Sequence, residues 1–325
     1  MHGIRRREFI TLLGGAAAAW PLAARAQQQP VVGLLRGAGL SELNDAAFRQ
    51  GLSQSGFVEG RNLAFEIRAA EGQYDRLAAM AADLARRRVA LIVTNTPVAA
   101  LAAKDATKTI PIVFALGSDP VRDGLVASLN RPGGNVTGAT WFSNLLAAKR
   151  LEFLHLIVPP AALIAVLVNP GNANVELESG EAQAAARKLG REVLLLNASS
   201  EREIDVAFAT LVQQKAAALF VTGDAYLGSR REQIGALSAR HAIATSHSNR
   251  ASVVAGGLMS YGADSAETSR QAGLYAGRIL KGEKPADLPV QQATKFKFII
   301  NLKTAKALGL DIPATVLMRA DEVIE

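Results

Sequence analysis

Residues 90–114 read ALIVTNTPVAALAAKDATKTIPIVF, and this stretch decides the fold. Ala90-Leu91-Ile92-Val93 is apolar without alternation, the pattern of a strand covered on both faces. Thr96-Pro97 is a helix start, a hydroxyl residue followed by a proline whose missing N–H costs nothing in the first turn. Val98 to Ala106 then reads as a short helix, and Ile112-Val113-Phe114 is a second buried strand. Two doubly covered strands joined by a helix are a parallel pair with a crossover, the unit of an α/β sheet.

The same rhythm extends outward. Upstream lie a strand at Val31 to Leu35, a helix at 42–55, an alternating strand at Asn62 to Arg68 and a helix at Tyr74 to Arg87. It breaks at Arg131-Pro132-Gly133-Gly134-Asn135, a turn-rich string, and then restarts. Helices are predicted at 145–156, 176–189, 201–214 and 230–241, with strands at 163–168, 192–196, 218–221 and 242–245. After a helix at Ser265 to Leu280, a strand at Lys297 to Ile300 and a helix at Leu302 to Leu308 add to units already complete, so the chain must cross between them again. The expectation is an α/β chain of two lobes: residues 27–140 with about 260–288 in one, 141–259 with about 289–325 in the other. Ligands of open α/β sheets bind beyond the carboxyl ends of the strands, so the residues just after each strand are the site candidates.

Composition narrows the classes. The 325 residues contain no cysteine, which excludes disulfides, thiolate catalysis and cysteine metal sites. The four histidines, at 2, 155, 241 and 247, are too dispersed for a metal site, and neither a metal nor a cofactor is expected. The net charge of +7 falls to +4 once Arg5, Arg6, Arg7 and Arg25 are set against Glu8 and removed, too little and too dispersed to suggest nucleic acid. Residues 4–26, IRRREFITLLGGAAAAWPLAARA, give a basic cluster, an apolar run and Ala24-Arg25-Ala26, the order of a secretory signal cleaved after Ala26. Arg6-Arg7 resembles the twin-arginine type, and the expected location is the periplasm.

Each site candidate carries two readings. Asn95 and Thr96 open a helix that can receive a carboxylate, and Thr96 can equally be a plain cap. Ser118 and Asp119 follow the strand ending at Phe114; Asp119 can take a ligand ammonium or cap the turn from Pro120. Asn169 and Asp224 hold the same station in the second lobe, Asp224 being the foremost candidate for an ammonium or hydroxyl. Trp141, Tyr226 and Tyr261 can stack on a ligand ring or pack in the core, His247 can hydrogen-bond a ligand, and Arg36 can pair with an anion or stand at the surface. Gly-x-Gly-x-x-Gly, Gly-x-Ser-x-Gly, His-Glu-x-x-His and P-loop patterns are absent, which leaves a Rossmann-like enzyme without a motif.

Several stretches resemble a known family: Ala46-Ala47-Phe48-Arg49-Gln50-Gly51-Leu52, Asn130-Arg131-Pro132-Gly133-Gly134-Asn135-Val136-Thr137-Gly138, Gly256-Gly257-Leu258-Met259-Ser260-Tyr261-Gly262 and Gly277-Arg278-Ile279-Leu280-Lys281-Gly282-Glu283-Lys284-Pro285. The chain is similar to ABC transporter substrate-binding proteins of the type I periplasmic class, in the tryptophan-receptor-related group. The resemblance implies two lobes joined by three hinge crossovers, closure on a small ligand, and an ABC permease in the inner membrane as partner. It implies no enzymatic activity, and the protein is expected to be a monomer. The ligand expected is an amino acid or a related small carboxylate; a nucleoside or other uncharged ring is the alternative. The chain departs from the group at Asp224-Ala225-Tyr226 and at Ser246-His247-Ser248-Asn249-Arg250, both beside the expected cleft.

Overall fold

The structure is a computed structural model that describes residues 29–38, 42–142, 146–159, 163–172 and 174–325. The export-signal reading of residues 1–26 lies outside the described residues. In chain order the first run comprises β1 (Val31–Arg36), α1 (Glu42–Gln54), β2 (Ala64–Ala69), α2 (Leu77–Arg86), β3 (Leu91–Thr94), α3 (Pro97–Ala106), β4 (Ile112–Leu116) and β5 (Val136–Thr140). The second comprises α4 (Ala147–Ile157), β6 (Ile164–Val168), α5 (Val175–Lys188), β7 (Val193–Asn197), α6 (Glu201–Gln213), β8 (Ala218–Val221), α7 (Ala225–Ser229), α8 (Arg231–Arg240), β9 (Ala244–His247), α9 (Arg250–Val254) and β10 (Met259–Ala263). Then α10 (Ser265–Leu280) and β11 (Gln291–Gln292) return to the first unit. Finally β12 (Phe296–Asn301), α11 (Leu302–Ala307), α12 (Ala314–Leu317) and β13 (Glu322–Ile324) complete the second.

The strands form two sheets, β11-β5-β4-β3-β1-β2 and β13-β12-β10-β9-β8-β6-β7. Among the described residues every strand pairing is parallel except β10 with β12. The exception has a topological cause: β10 leaves the second lobe for α10 while β12 re-enters it beside β10, so the two run in opposite directions. Among the described residues, the chain leaves the first sheet after Thr140, leaves the second at Asp264 and returns to it through 293–295. Met259–Ala263 therefore stands in the second sheet, and Gln291–Gln292 in the first, paired with Ala139 and Thr140. Both placements differ by a few residues from the boundaries expected near 260 and 288. Two strands that the sequence pattern does not announce, β5 and β10, are short and glycine-bearing, which hides their period.

Alternate residues of the central strands serve opposite faces. In the first lobe Val32, Leu34, Leu91, Val93 and Val113 pack with Phe48, Leu52, Tyr275 and Ile279 under α1 and α10. Leu35, Ile92, Ile112 and Phe114 pack with Leu77, Leu84, Ala99 and Ala103 under α2 and α3. This two-sided burial is why the strands read as continuous apolar runs, each large aliphatic contributing about 1.5–3 kcal/mol. The α1–α10 contact is very close: a Cβ on Gly51 would lie 2.1 Å from the Arg270 carbonyl oxygen, and one on Gly273 would lie 2.2 Å from that of Phe48. The second lobe repeats the plan, with Val166, Phe220 and Leu154 on one face and Leu167, Leu219 and Phe208 on the other. Among the described residues no helix is long and apolar enough to cross a membrane.

Candidate functional site

A cleft of about 350 Å³ lies between the lobes, within the size range that holds small ligands. Its first-lobe wall is built from the ends of β1, β3 and β4 and the starts of α1 and α3; its second-lobe wall from Gly223–Ala225, Ser248–Ala251 and the facing end of the sheet at Ile299. Strand ends converge there because parallel strands all finish at one edge, and the helices that follow need N-caps at the same edge. Thr96, Asp224, Asn249 and Asp264 fill that need, each accepting a first-turn backbone N–H.

Of the eleven residues singled out from sequence, Arg36, Asn95, Thr96, Ser118, Trp141 and Asp224 line the cleft. Their roles differ. Asn95 accepts from Gly37 N–H at 3.0 Å and donates to the Ala38 carbonyl at 3.0 Å, so it pins the loop after β1. Thr96 Oγ1 accepts from Ala99 N–H at 3.2 Å as the cap of α3. Arg36 Nη2 donates to both oxygens of Asp45, at 2.6 and 2.9 Å. The Ser118 side chain is buried beside Asp123. Asp224 Oδ1 accepts from Leu227 N–H at 2.8 Å and Asn169 Nδ2 at 3.1 Å, while Oδ2 accepts from Asn172 Nδ2 at 3.0 Å. Burial pushes the Asp224 pKa up, against these hydrogen bonds.

The remaining five do not border the cleft. Asp119 caps its own turn, accepting from Val121 and Arg122 N–H at 2.9 and 3.3 Å. Asn169 lies behind Asp224 as its donor. Tyr226 is buried in the second-lobe core with Arg230 over its ring at 5.3 Å. Tyr261 joins an aromatic group with Phe153 and Phe298, its ring 5.4 and 6.4 Å from theirs, away from the cleft lining. His247 is buried with Nε2 3.0 Å from Thr245 Oγ1, and burial, reinforced by Arg150, pushes its pKa down to about 3, so the ring is neutral. Post-strand position alone could not separate a side chain facing the cleft from one turned under it.

Sequence reasoning missed Asp45, Tyr74, Arg231, Arg250 and Lys297, all of which line the cleft. Tyr74 and Arg250 stand soon after β2 and β9 and obey the same post-strand rule; Asp45 sits in the first turn of α1, one step further on. The cations from the second lobe are paired: Arg250 with Glu322 at 2.6 Å, Arg231 with Glu232 at 3.1 Å, and Lys297 with Asp264 at 3.8 Å.

Beneath the second-lobe wall lies a fully buried ion pair. Arg150 of α4 is 0% exposed; it meets Glu178 Oε1 at 2.9 Å, donates to the Val221 and Ser246 carbonyls, and stacks on Phe220 at 4.1 Å. Both Glu178 oxygens accept from Gly223 N–H at 2.9 Å, which ties the pair to the cleft-lining turn. Burial lowers the Arg150 pKa to about 10, opposed by Glu178, and raises that of Glu178, opposed by Arg150.

The lobes are in contact across the cleft edge. The Tyr74 hydroxyl of the first lobe hydrogen-bonds Asn169 of the second, and burial and the nearby Asp224 charge both raise its pKa. Arg122 donates to Asn174 Oδ1. Ala38 is buried with Leu167 and Tyr226 in the second lobe's core cluster. Gly72, at φ +88°, lies so near that a Cβ there would be 2.7 Å from Tyr226 Cδ2. These contacts describe a closed arrangement.

A family model described as ABC transporter substrate binding protein matches residues 31–324. The chain belongs to this family. Its relatives are solute-binding proteins, not enzymes. The substrate-binding protein is 30% identical over 263 residues to a tyrosine-binding protein of Clostridioides difficile (strain R20291), covering 81% of this chain and 75% of the relative. It is also similar to an ABC domain from Streptococcus pneumoniae solved in complex with L-Trp: 28% identity, TM-score 0.82, covering 91% of this chain and all of the other. A ligand-free, open substrate-binding protein with adhesive properties from Clostridium difficile is 26% identical over 91% of this chain and 99% of its own, yet its TM-score is 0.61. At equal coverage, the better overlay on the liganded structure agrees with the closed lobe contacts. The two-lobed type I fold is thus the fold of this protein.

Proposed function

We propose that this substrate-binding protein captures an amino acid or a related small carboxylate between its lobes and hands it to an ABC permease of an importer. The observation that carries the reading is at the end of β3. The Thr94 hydroxyl is buried, 2% exposed, and has no hydrogen-bond partner, yet its residue lines the cleft. Beside it α3 begins, where Thr96 takes only the Ala99 N–H and the Val98 N–H has no carbonyl to meet within the helix. A buried free hydroxyl at a helix N-terminus suits a carboxylate, which gains hydrogen bonds and the favourable helix dipole together. Apolar Leu34, Phe48, Val93 and Trp141 line the same cavity and suit an attached side group.

The tyrosine-binding relative and the L-Trp-bound structure support an amino-acid ligand on independent grounds. In this reading the protein works in the periplasm after removal of residues 1–26, as a monomer, and the closed shape is what the permease recognises. Closure follows from the two-walled site, since only the closed state makes contacts on both sides of a ligand. A thermal-shift screen of amino acids, aromatic acids, nucleosides and sugars tests the ligand class, because a bound ligand raises the melting temperature by mass action. Stabilisation by carboxylate compounds is expected. Stabilisation by sugars or nucleosides alone would overturn the reading.

A further inference from the structure

A zwitterionic ligand brings an ammonium as well as a carboxylate, and three described acids line the cleft: Asp45, Asp224 and Asp264. An ionised carboxylate offers about four acceptor positions. Asp224 has filled them, with Leu227 N–H and Asn169 on one oxygen, Asn172 on the other, and the Tyr226 N–H as a further donor. Asp264 caps α10 through Ala266 and Glu267 N–H at 3.0 and 3.3 Å and faces Lys297 with its other oxygen. Asp45 is different: both its oxygens meet one and the same nitrogen, Arg36 Nη2. Half its acceptor capacity is open, and its side chain remains 27% exposed.

The partner of Asp45 is also incompletely used, since Arg36 Nε is buried without a hydrogen-bond partner. β1 and β3 are adjacent, with Leu35 opposite Thr94, so Arg36 and Thr94 stand at neighbouring strand ends. Asp45, from the start of α1, and Thr94, from the end of β3, line the same cleft. We infer that Asp45, held in place by Arg36, accepts the α-ammonium of the ligand, while the carboxylate lies toward Thr94 and the start of α3. The inference rests on the amino-acid reading above and assigns the role that Asp224, its oxygens occupied, and Asp119, outside the cleft, do not play.

The test compares L-tyrosine and L-tryptophan with their deaminated counterparts, 3-(4-hydroxyphenyl)propanoate and indole-3-propanoate, by calorimetric titration of the mature protein. The wild type is expected to prefer the amino acid. Asp45→Asn should weaken amino-acid binding roughly ten- to a hundredfold, the scale of one hydrogen bond to a charged group, and leave the deaminated acid within about threefold. Asp45→Glu, which keeps the charge, should recover part of the preference; thermal melts of both variants check that they fold. Equal losses on both ligands would make Asp45 only a support for Arg36 and overturn the inference, as would no loss at all. A wild type that binds the deaminated acids as tightly as the amino acids overturns it too, yet leaves the carboxylate reading standing. Binding of uncharged rings alone would sink both.

Discussion

Arg150→Met is the perturbation whose cost the structure allows to be worked out most directly. Arg150 and Glu178 are both buried, and the arginine also satisfies two strand-end carbonyls, those of Val221 and Ser246. Methionine fills much of the aliphatic volume but leaves Glu178 buried with the Gly223 N–H as its remaining strong donor. Stranding one member of a buried pair costs about 3–5 kcal/mol, because the remaining charge keeps its desolvation penalty and loses its compensation. The double variant Arg150→Met/Glu178→Met removes both charges and should be less destabilised than the sum of the single changes. Urea titrations followed by Trp141 fluorescence and by circular dichroism measure the midpoints of wild type, both single variants and the double. A coupling of about 2 kcal/mol or more is expected. Single losses below about 1 kcal/mol, or strictly additive losses, would refute the reasoning and make the pair no stronger than one at the surface.

Tyr74→Phe removes the hydroxyl that reaches Asn169 across the cleft edge while preserving the ring. It should weaken ligand binding about two- to tenfold through a smaller closed population, with an increased ligand-free radius of gyration by small-angle scattering; an unchanged affinity and radius would rule out the latch. His247 is neutral in the fold, its pKa pushed down to about 3 from the ordinary 6.5, so as pH falls from about 6.5 toward 3 the unfolded chain takes up a proton that the native state refuses. Stability should decline over that window, by at most about 1.4 kcal/mol per pH unit from this group, and more steeply than in a His247→Gln variant; parallel pH profiles would contradict the assignment. Replacing Arg6 and Arg7 by lysine should block export of the precursor, visible as an unprocessed cytoplasmic form, whereas normal processing would point to the general secretory route.

The sequence by itself determined the lobes and where a cleft must lie. Runs such as Leu91–Thr94 and Ile112–Leu116 are apolar at every position because helices cover both faces, and that pattern is local enough to read along the chain. Thr96-Pro97 marked a helix start for the same reason: capping and proline chemistry act over a few residues. The glycine-bearing β5 and β10 and the direction of β12 were not legible, since pairing depends on partners far along the chain. Nor was the division of labour among the polar residues after each strand. Asp224 and Asp119 look alike in sequence to a ligand-binding acid, yet Leu227 N–H, Asn169 and Asn172 occupy Asp224, and Asp119 caps its own turn outside the cleft. Asp45, unremarkable in a helix's first turn, keeps open acceptors because its donor is a single nitrogen of Arg36. Local N–H groups cap Asp119 and Asp224, but Asn169 and Asn172 reach Asp224 only in the folded lobe, so which acid keeps open acceptors facing the cleft is decided by the tertiary structure.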